Sequence, residues 1–224
     1  MIRFSGVSHR FGEREVLTPF SLELAERRIA VIGANGSGKS TFARLINGLL
    51  MPSAGQVWVD DLDTKSNGKA VRGLVGFVFQ NPDNQIVYPV VEEDIAFGLK
   101  NLKVEKGEIA GRVAASLARF GLSHLAKEQA HRLSGGEKQM LAIAGVTITQ
   151  PRYIVFDEPT TLLDLRNKRL VARTIDRLDE TAIVITHDLD LIADFDRVLV
   201  FEEGRIDFDG APRDAIARYL ELMA

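Results

Sequence analysis

The chain contains no cysteine. That excludes disulfide frameworks and thiolate metal sites, and it fits a reducing compartment. There is no excess of basic charge: 28 Lys and Arg stand against 31 Asp and Glu, a formal net charge of -3. Bulk binding to nucleic acid is not indicated by such a balance. No run approaches the ~20 apolar residues that a membrane-spanning helix needs. The start, "MIRFSGVSHRFGER", has no apolar segment of the kind a secretory signal carries. Repeats, low-complexity tracts and long linkers are also missing. If this protein works at a membrane, another chain must hold it there.

What remains is an ordinary globular composition, 46% apolar and 26% charged over 224 residues. That length suits one large domain, or a domain with a subdomain. Residues 2–7 and 20–24 alternate like half-buried strands, with Leu22 and Leu24 on one face. "RRIAVIG" (27–33) reads as a buried strand, and Phe42, Leu45, Ile46, Leu49 and Leu50 then recur at helical spacing. "QVWVD" and "GLVGFVFQ" (73–80) are predicted strands, and 91–149 is predicted helical, with Ile109, Val113 and Leu117 on one face. Strands at 153–157, 182–186 and 197–201 then alternate with helices near 165–178 and 188–195. Alternating βα units imply an α/β fold with a mainly parallel sheet, here with a helical block inserted into it.

Three stretches carry phosphate chemistry. "GANGSGKST" (33–41) matches G-x-x-x-x-G-K-[ST] between a predicted strand and a predicted helix. Gly33, Ala34, Asn35, Gly36, Ser37, Gly38, Lys39, Ser40 and Thr41 form a loop whose backbone N–H groups wrap a phosphate chain. Lys39 reaches the β- and γ-phosphates, and the Ser40 hydroxyl binds Mg²⁺. "YIVFDE" (153–158) puts Asp157 at the carboxyl end of a buried strand, where it can hold the Mg²⁺ shell. Glu158 follows, placed to orient or deprotonate a water. In "LSGGE", Leu133, Ser134, Gly135, Gly136 and Glu137 open a helix with a capping box. Capping does not call for two glycines at the helix start, which cost stability there. An approaching anion does. This second phosphate surface lies about a hundred residues from the first, and the simplest arrangement is two chains, each offering "LSGGE" to the other's loop.

Lesser signals point the same way. His187 in "ITHD" follows a buried strand at the edge that holds Asp157, and can donate to a γ-phosphate. Gln80 in "FVFQNPDNQ" is expected at a strand end on that edge, touching Mg²⁺ or the attacking water through its amide. Phe11, in an N-terminal turn, can stack on adenine. "DDLDT" lacks the ligand spacing of a calcium loop and reads as a solvated turn.

Together these motifs resemble the ATP-binding cassette ATPases over essentially the whole chain: the loop at 33–41, Gln80, "LSGGEKQ", "IVFDEP", "TLLD" (161–164) and "THD" occur in the family order. The resemblance implies a RecA-like P-loop core at 1–80 and 146–224 with an antiparallel β-subdomain, and a helical subdomain at 81–145. It implies ATP and Mg²⁺ as ligands, and dimerisation with a like or similar ATPase. "FQNPDNQ" followed by "VEEDIAFGLKNL" is similar to the energy-coupling-factor group of vitamin and metal-ion importers. There the loop after Gln80 docks on a transmembrane coupling subunit, which works with a substrate-binding membrane subunit. That makes Asp83, Asn84, Gln85 and Ile86 docking candidates, and the location peripheral, on the cytoplasmic face of the membrane. Phe11 replaces a more frequent tyrosine, Met140 a basic residue, and "TLLD" the commoner "SALD", so Thr161 and Leu162 alter contacts across the dimer. The chain stops at Ala224 without the extension many relatives carry, which favours a biotin-type ATPase over a cobalt or nickel one.

Two other readings compete. A soluble cassette protein acting on DNA or ribosomes usually carries long insertions or two cassettes. Another P-loop kinase or NTPase leaves the Gly-Gly helix start and Gln80 unexplained.

Overall fold

A computed structural model describes every residue, Met1–Ala224. In chain order the elements are β1 (Ile2–Phe11), β2 (Arg14–Leu24), β3 (Arg28–Gly33), α1 (Lys39–Ile46), β4 (Ala54–Val59), β5 (Leu62–Asp63), α2 (Gly68–Leu74), β6 (Val75–Val78), α3 (Val91–Asn101), α4 (Lys106–Arg119), α5 (Gly135–Thr147), β7 (Tyr153–Asp157), α6 (Leu165–Asp176), β8 (Thr181–Ile185), β9 (Arg197–Glu202), β10 (Arg205–Gly210) and α7 (Pro212–Met223). They fall into two units. Met1–Phe77, Arg152–Glu158 and Leu178–Ala224 form the first, and Val78–Pro151 with Pro159–Arg177 the second.

The first unit contains two sheets. One is antiparallel in the order β2-β1-β4-β5, and the other runs β10-β9-β3-β8-β7-β6. In the second sheet β9, β3, β8 and β7 are parallel. Strands β3 and β7 are buried along their whole length, as continuous apolar runs between covered faces must be. Parallel register brings the carboxyl ends of β3, β8 and β7 to one edge: Val31 and Asp157 both pair with Ile185. Phe42 of α1 links the two sheets. It stacks on Phe4 at 4.8 Å between ring centres and meets Phe201 at 5.1 Å, so the helix that follows the phosphate loop is held in its first turn by aromatic packing. On the other side, α7 and the turn Leu189–Ile192 cover Ala30, Ile32, Val198 and Val200.

Several expectations need correction. The strand predicted at 73–80 is shorter: α2 takes Gly73 and Leu74, and β6 ends at Val78. The Phe79 N–H donates to the Gln85 side chain (3.2 Å), which replaces a ladder partner. Gln80 therefore sits two residues beyond the strand and is exposed. The helix from Phe42 stops at Ile46, because Gly48 takes φ +68° and the Leu49 N–H donates to Asn47 Oδ1, so Leu49 and Leu50 leave the helical pattern. The helix expected near 188–195 is a single 3₁₀ turn. The hairpin β9–β10 and helix α7 were not foreseen.

The second unit is helical, α3 to α6. Its helices approach closely: a Cβ on Gly98 of α3 would stand 2.8 Å from the Thr149 methyl. The segment 159–177, expected in the core, groups here. Its helix α6 lays Asn167 against Gly136 and Thr174 against the Met140 sulfur (3.8 Å). Met140 is 3% exposed, so this position takes an apolar side chain because it packs.

Candidate active site

The loop at 33–41 folds as the glycines require. Gly33, Gly36 and Gly38 have φ of +149°, +82° and +104°, conformations that side chains other than glycine rarely adopt. Gly33 also has no room for a side chain, since a Cβ would fall 2.1 Å from the Phe201 carbonyl oxygen. Gly38 is the N-cap of α1 and offers no side-chain cap, and the first turn carries no acid. The helix start is thus bare N–H groups with the positive end of the helix dipole, a ready anion site. Lys39 reaches back across the loop and donates to the Gly33 and Ala34 carbonyl oxygens, each at 2.8 Å. Burial pulls its ammonium below the usual lysine range, opposed by Glu158, Asp157 and Glu202. An anionic phosphate would relieve that cost.

Ser40 Oγ donates to Asp157 Oδ1 at 3.0 Å. The two Mg²⁺ candidates, 117 residues apart, therefore touch. Asp157 is 5% exposed, and burial pushes its carboxyl above the ordinary carboxylate range, while Ser40, Arg44 and Lys39 pull it down. A dication would offset this desolvation. Among acids and histidines the chain holds no group of three that could cage a metal. Mg²⁺ is usually held by one or two protein oxygens with the substrate phosphates and water completing the shell, and the Ser40 Oγ and Asp157 Oδ1 pair is a donor set of that kind. Buried Ser37 Oγ has no hydrogen-bond partner, an orphan donor on the loop that a phosphate oxygen would satisfy.

Glu158 follows Asp157 with φ +54°, and its N–H donates to the Ile185 carbonyl oxygen (2.9 Å). The tail of one strand is thereby tied to the end of the next. Its carboxylate Oε1 lies 3.1 Å from His187 Nε2, with Glu158 12% and His187 37% exposed. A carboxylate oriented by a histidine, partly open to solvent, is placed to take a proton from water. Thr186 Oγ1 accepts from the Asp188 N–H (3.0 Å) and so shapes the backbone either side of His187.

Phe11 ends β1, 52% exposed, with His9 edge-on at 4.6 Å. Its face is available for stacking. Gln80 and the "LSGGE" residues belong to the second unit. At the latter, the capping box is complete: Ser134 accepts from the Glu137 N–H (3.4 Å) and Glu137 accepts from the Ser134 N–H (2.7 Å). The Ser134 hydrogen bonds hold Glu137 below the usual carboxylate range. The two glycines differ. Gly136 is buried, and a Cβ there would fall 2.3 Å from Asn167, so packing alone calls for glycine. Gly135 is exposed, and a Cβ there would meet only Leu163 at 3.8 Å, so packing does not call for glycine. Leu133 is buried and anchors the start.

In the turn beyond Gln80, Asp83 and Asn84 are exposed, as docking requires. Gln85 is not a docking group, because its amide donates to the Ala142 carbonyl (3.1 Å) and accepts from Phe79. Ile86 is half-buried, while Val87 is 64% exposed. Supports behind the phosphate loop went unnoticed in the sequence. Gly204 (φ +78°) donates to the Ser37 carbonyl (3.1 Å), and Val16 and Leu17 close against Gly38. The Gly204 turn between two apolar runs was the available signal.

Comparison with known proteins agrees with this phosphate chemistry. The ABC transporter family model matches residues 17–161. A biotin transport ATP-binding protein of Rhizobium etli is 53% identical, covering 100% of this chain and 99% of its own. An energy-coupling factor transporter ATP-binding protein of Symbiobacterium thermophilum is 44% identical over 95% of this chain and 80% of its own. The solved structure of cbiO1 from Clostridium perfringens, part of the ABC transporter complex cbiONQ, superposes with a TM-score of 0.86 at 32% identity, covering 99% of this chain and 93% of that one. The fold is that of a P-loop ATPase, and the chain belongs to the ABC transporter family. It is an ATP-binding subunit whose hydrolysis of ATP powers transport.

Proposed function

We propose that this subunit energises import of biotin in an energy-coupling-factor system, peripheral to the cytoplasmic face of the membrane. The observation that carries the catalytic half is the Lys39, Ser40–Asp157 and Glu158–His187 cluster at one sheet edge. Support for the solute and the system is the likeness to the Rhizobium and Symbiobacterium proteins. Ser40 and Asp157 would hold Mg²⁺, which when bound would supply charge neutralisation for the nucleotide phosphates. Lys39 and the loop N–H groups bind the phosphates, Phe11 stacks on adenine, Glu158 takes the proton from water and His187 orients it. Import of cobalt or nickel is the second reading, favoured by the cbiO1 likeness.

The active unit is a head-to-tail dimer in which Ser134 and Gly135 of one chain face the nucleotide of the other. Leu162 supports this. It is wholly exposed at φ +64°, an apolar side chain on strained backbone that makes sense under a partner. Mixing Lys39→Ala chains with Ser134→Arg chains tests the arrangement. Each homodimer has two broken sites, but a mixed dimer has one intact site. Random pairing leaves roughly a quarter of sites intact, and a rate near that fraction is expected on mixing. No recovery above the separate variants would rule out sharing.

The membrane subunit docks on the second unit. A cavity of about 680 Å³ opens between α3 and α4, floored by Ala96, Ile109, Val113 and Leu117. Lys100 on its rim also sits over the Tyr88 ring (5.5 Å), so cavity and turn adjoin. An amphipathic helix fits such a groove, with a basic residue toward Asp83. Asp83→Lys with Val87→Asp should leave ATP affinity of the isolated subunit within about threefold. It should weaken assembly with the transmembrane subunit by about tenfold or more and abolish uptake of labelled biotin. Normal assembly would put the docking face elsewhere. Uptake of cobalt or nickel in place of biotin by the wild-type complex would select the second reading.

A further inference from the structure

Phe11 stands at the end of β1 with its ring half open to solvent. His9, two residues back on the same face of the strand, meets that ring edge-on, with centres 4.6 Å apart and planes at 80°. His9 itself is 6% exposed and is fixed from behind: its Nδ1 lies 3.0 Å from the Met51 carbonyl oxygen. A carbonyl only accepts, so Nδ1 is the donor. Two further bonds join the same short segment to β1. The Ser53 N–H donates to the Ser8 carbonyl (2.9 Å), and the Arg10 N–H donates to Ser53 Oγ (3.0 Å). The regular pairing of β1 with β4 shifts between Ser5 and Ser8, so beyond that point segment 51–53 holds the strand.

Both neighbours of His9 lead to the phosphate loop. Met51 lies on the connection after α1, the helix that follows that loop. On the other side His9 pairs with Leu17 of β2, and Leu17 closes against Gly38. One histidine thus joins the exposed ring to the phosphate loop by two routes. His9 Nε2 is buried with no hydrogen-bond partner. An apolar residue would pack there without that unmet group, so packing alone does not call for histidine.

We propose that His9 is a positioning residue for nucleotide binding: it fixes the Phe11 ring against the segment after α1, so that the base meets a face already set relative to the phosphate loop. The inference rests on the reading that Phe11 stacks on adenine. A surface ring that turns freely must be ordered when the base binds, and the lost rotamer freedom weakens binding. A ring ordered beforehand escapes that loss. The role lies toward the base and not the phosphates, so it acts on affinity rather than on the chemical step.

The test uses full-length protein and two substitutions that divide the link. His9→Asn keeps an N–H donor for the Met51 carbonyl and removes the ring, whereas His9→Phe keeps a ring and removes the donor. His9→Asn should raise the KM for ATP about fivefold and leave kcat within about twofold, and His9→Phe should raise KM about threefold. Inorganic tripolyphosphate, which has no base, should inhibit both variants with a constant within about twofold of wild type. In a Phe11→Ala background, His9→Asn should add less than about 1.5-fold, as expected of residues that act through one another. An unchanged KM in His9→Asn, equal weakening of ATP and tripolyphosphate, or an undiminished His9→Asn effect without Phe11 would each overturn the proposal. An unchanged KM in His9→Phe would remove Met51 from it and overturn the link to the segment after α1. Phe11→Ala separates the two readings. If it leaves the KM for ATP unchanged, stacking itself fails. If it raises KM about tenfold while His9→Asn does nothing, this proposal alone fails.

Discussion

Glu158→Gln binds ATP with near wild-type affinity, loses about 10²–10⁴ of its turnover, and accumulates as an ATP-bound dimer. The size follows from what is removed. Glu158 contributes a carboxylate that can hold a proton taken from water, and glutamine cannot accept one. What is kept follows from the geometry. The glutamine amide is isosteric, its oxygen or nitrogen can still meet His187 Nε2 across the 3.1 Å contact, and the backbone bond to Ile185 is untouched. The φ of +54° is no new burden, because Gln150 already adopts +55° in this chain. Binding groups at Lys39 and Ser40 are unaltered, so nucleotide still assembles the two halves, and only the step that dissolves the pair is stopped. Single-turnover hydrolysis and sedimentation with ATP check both halves. Hydrolysis near the wild-type rate would remove Glu158 from the role of general base.

That residue was legible in the sequence because strand and motif coincide: "YIVFD" is β7 residue for residue, so the acids at its exit could only lie at the sheet edge. Ser40 and Asp157, far apart in the chain, were paired by the same logic, since parallel strands ending together bring their successors together. The placement of Gln80 at a strand end failed where local pattern was overridden. "GLVGFVFQ" reads as eight strand residues, but α2 takes the first two, and Gln85, five residues past Gln80, withdraws Phe79 from the ladder. A side chain that competes for a backbone N–H leaves no periodic trace. At Gly136 a packing demand was hidden for a related reason: its partner, Asn167, is distant in sequence. The hairpin holding Gly204 under the phosphate loop also depends on tertiary neighbours, Val16 and Ser37, that no window contains.

Asp157→Asn should abolish Mg²⁺-dependent hydrolysis, by about a hundredfold or more, yet leave the nucleotide-free protein at least as stable as wild type. Burial raises the Asp157 carboxyl above its ordinary value of about 3.9. The folded chain thus holds a proton that the unfolded chain has released, and stability from this group falls as pH rises from the unfolded value through the folded one. At pH 7, above the unfolded value, a carboxyl whose folded value is raised by burial is a net cost to the fold. Asparagine carries no charge and can still accept from Ser40 through its amide oxygen, across the 3.0 Å contact that Asp157 makes. Its Tm without ligand should exceed that of wild type at pH 7, and the gap should close as pH falls below the ordinary carboxylate value, where aspartate is protonated in both states. Saturating Mg²⁺ and ATP should reverse the order, because wild type gains the binding free energy and the variant gains less of it. Melting curves at several pH values, with and without Mg²⁺ and ATP, check each sign. A variant less stable than wild type at pH 7 without ligand would mean that Lys39 and Arg44 offset the burial of this charge, and that Asp157 supports the fold as well as the metal.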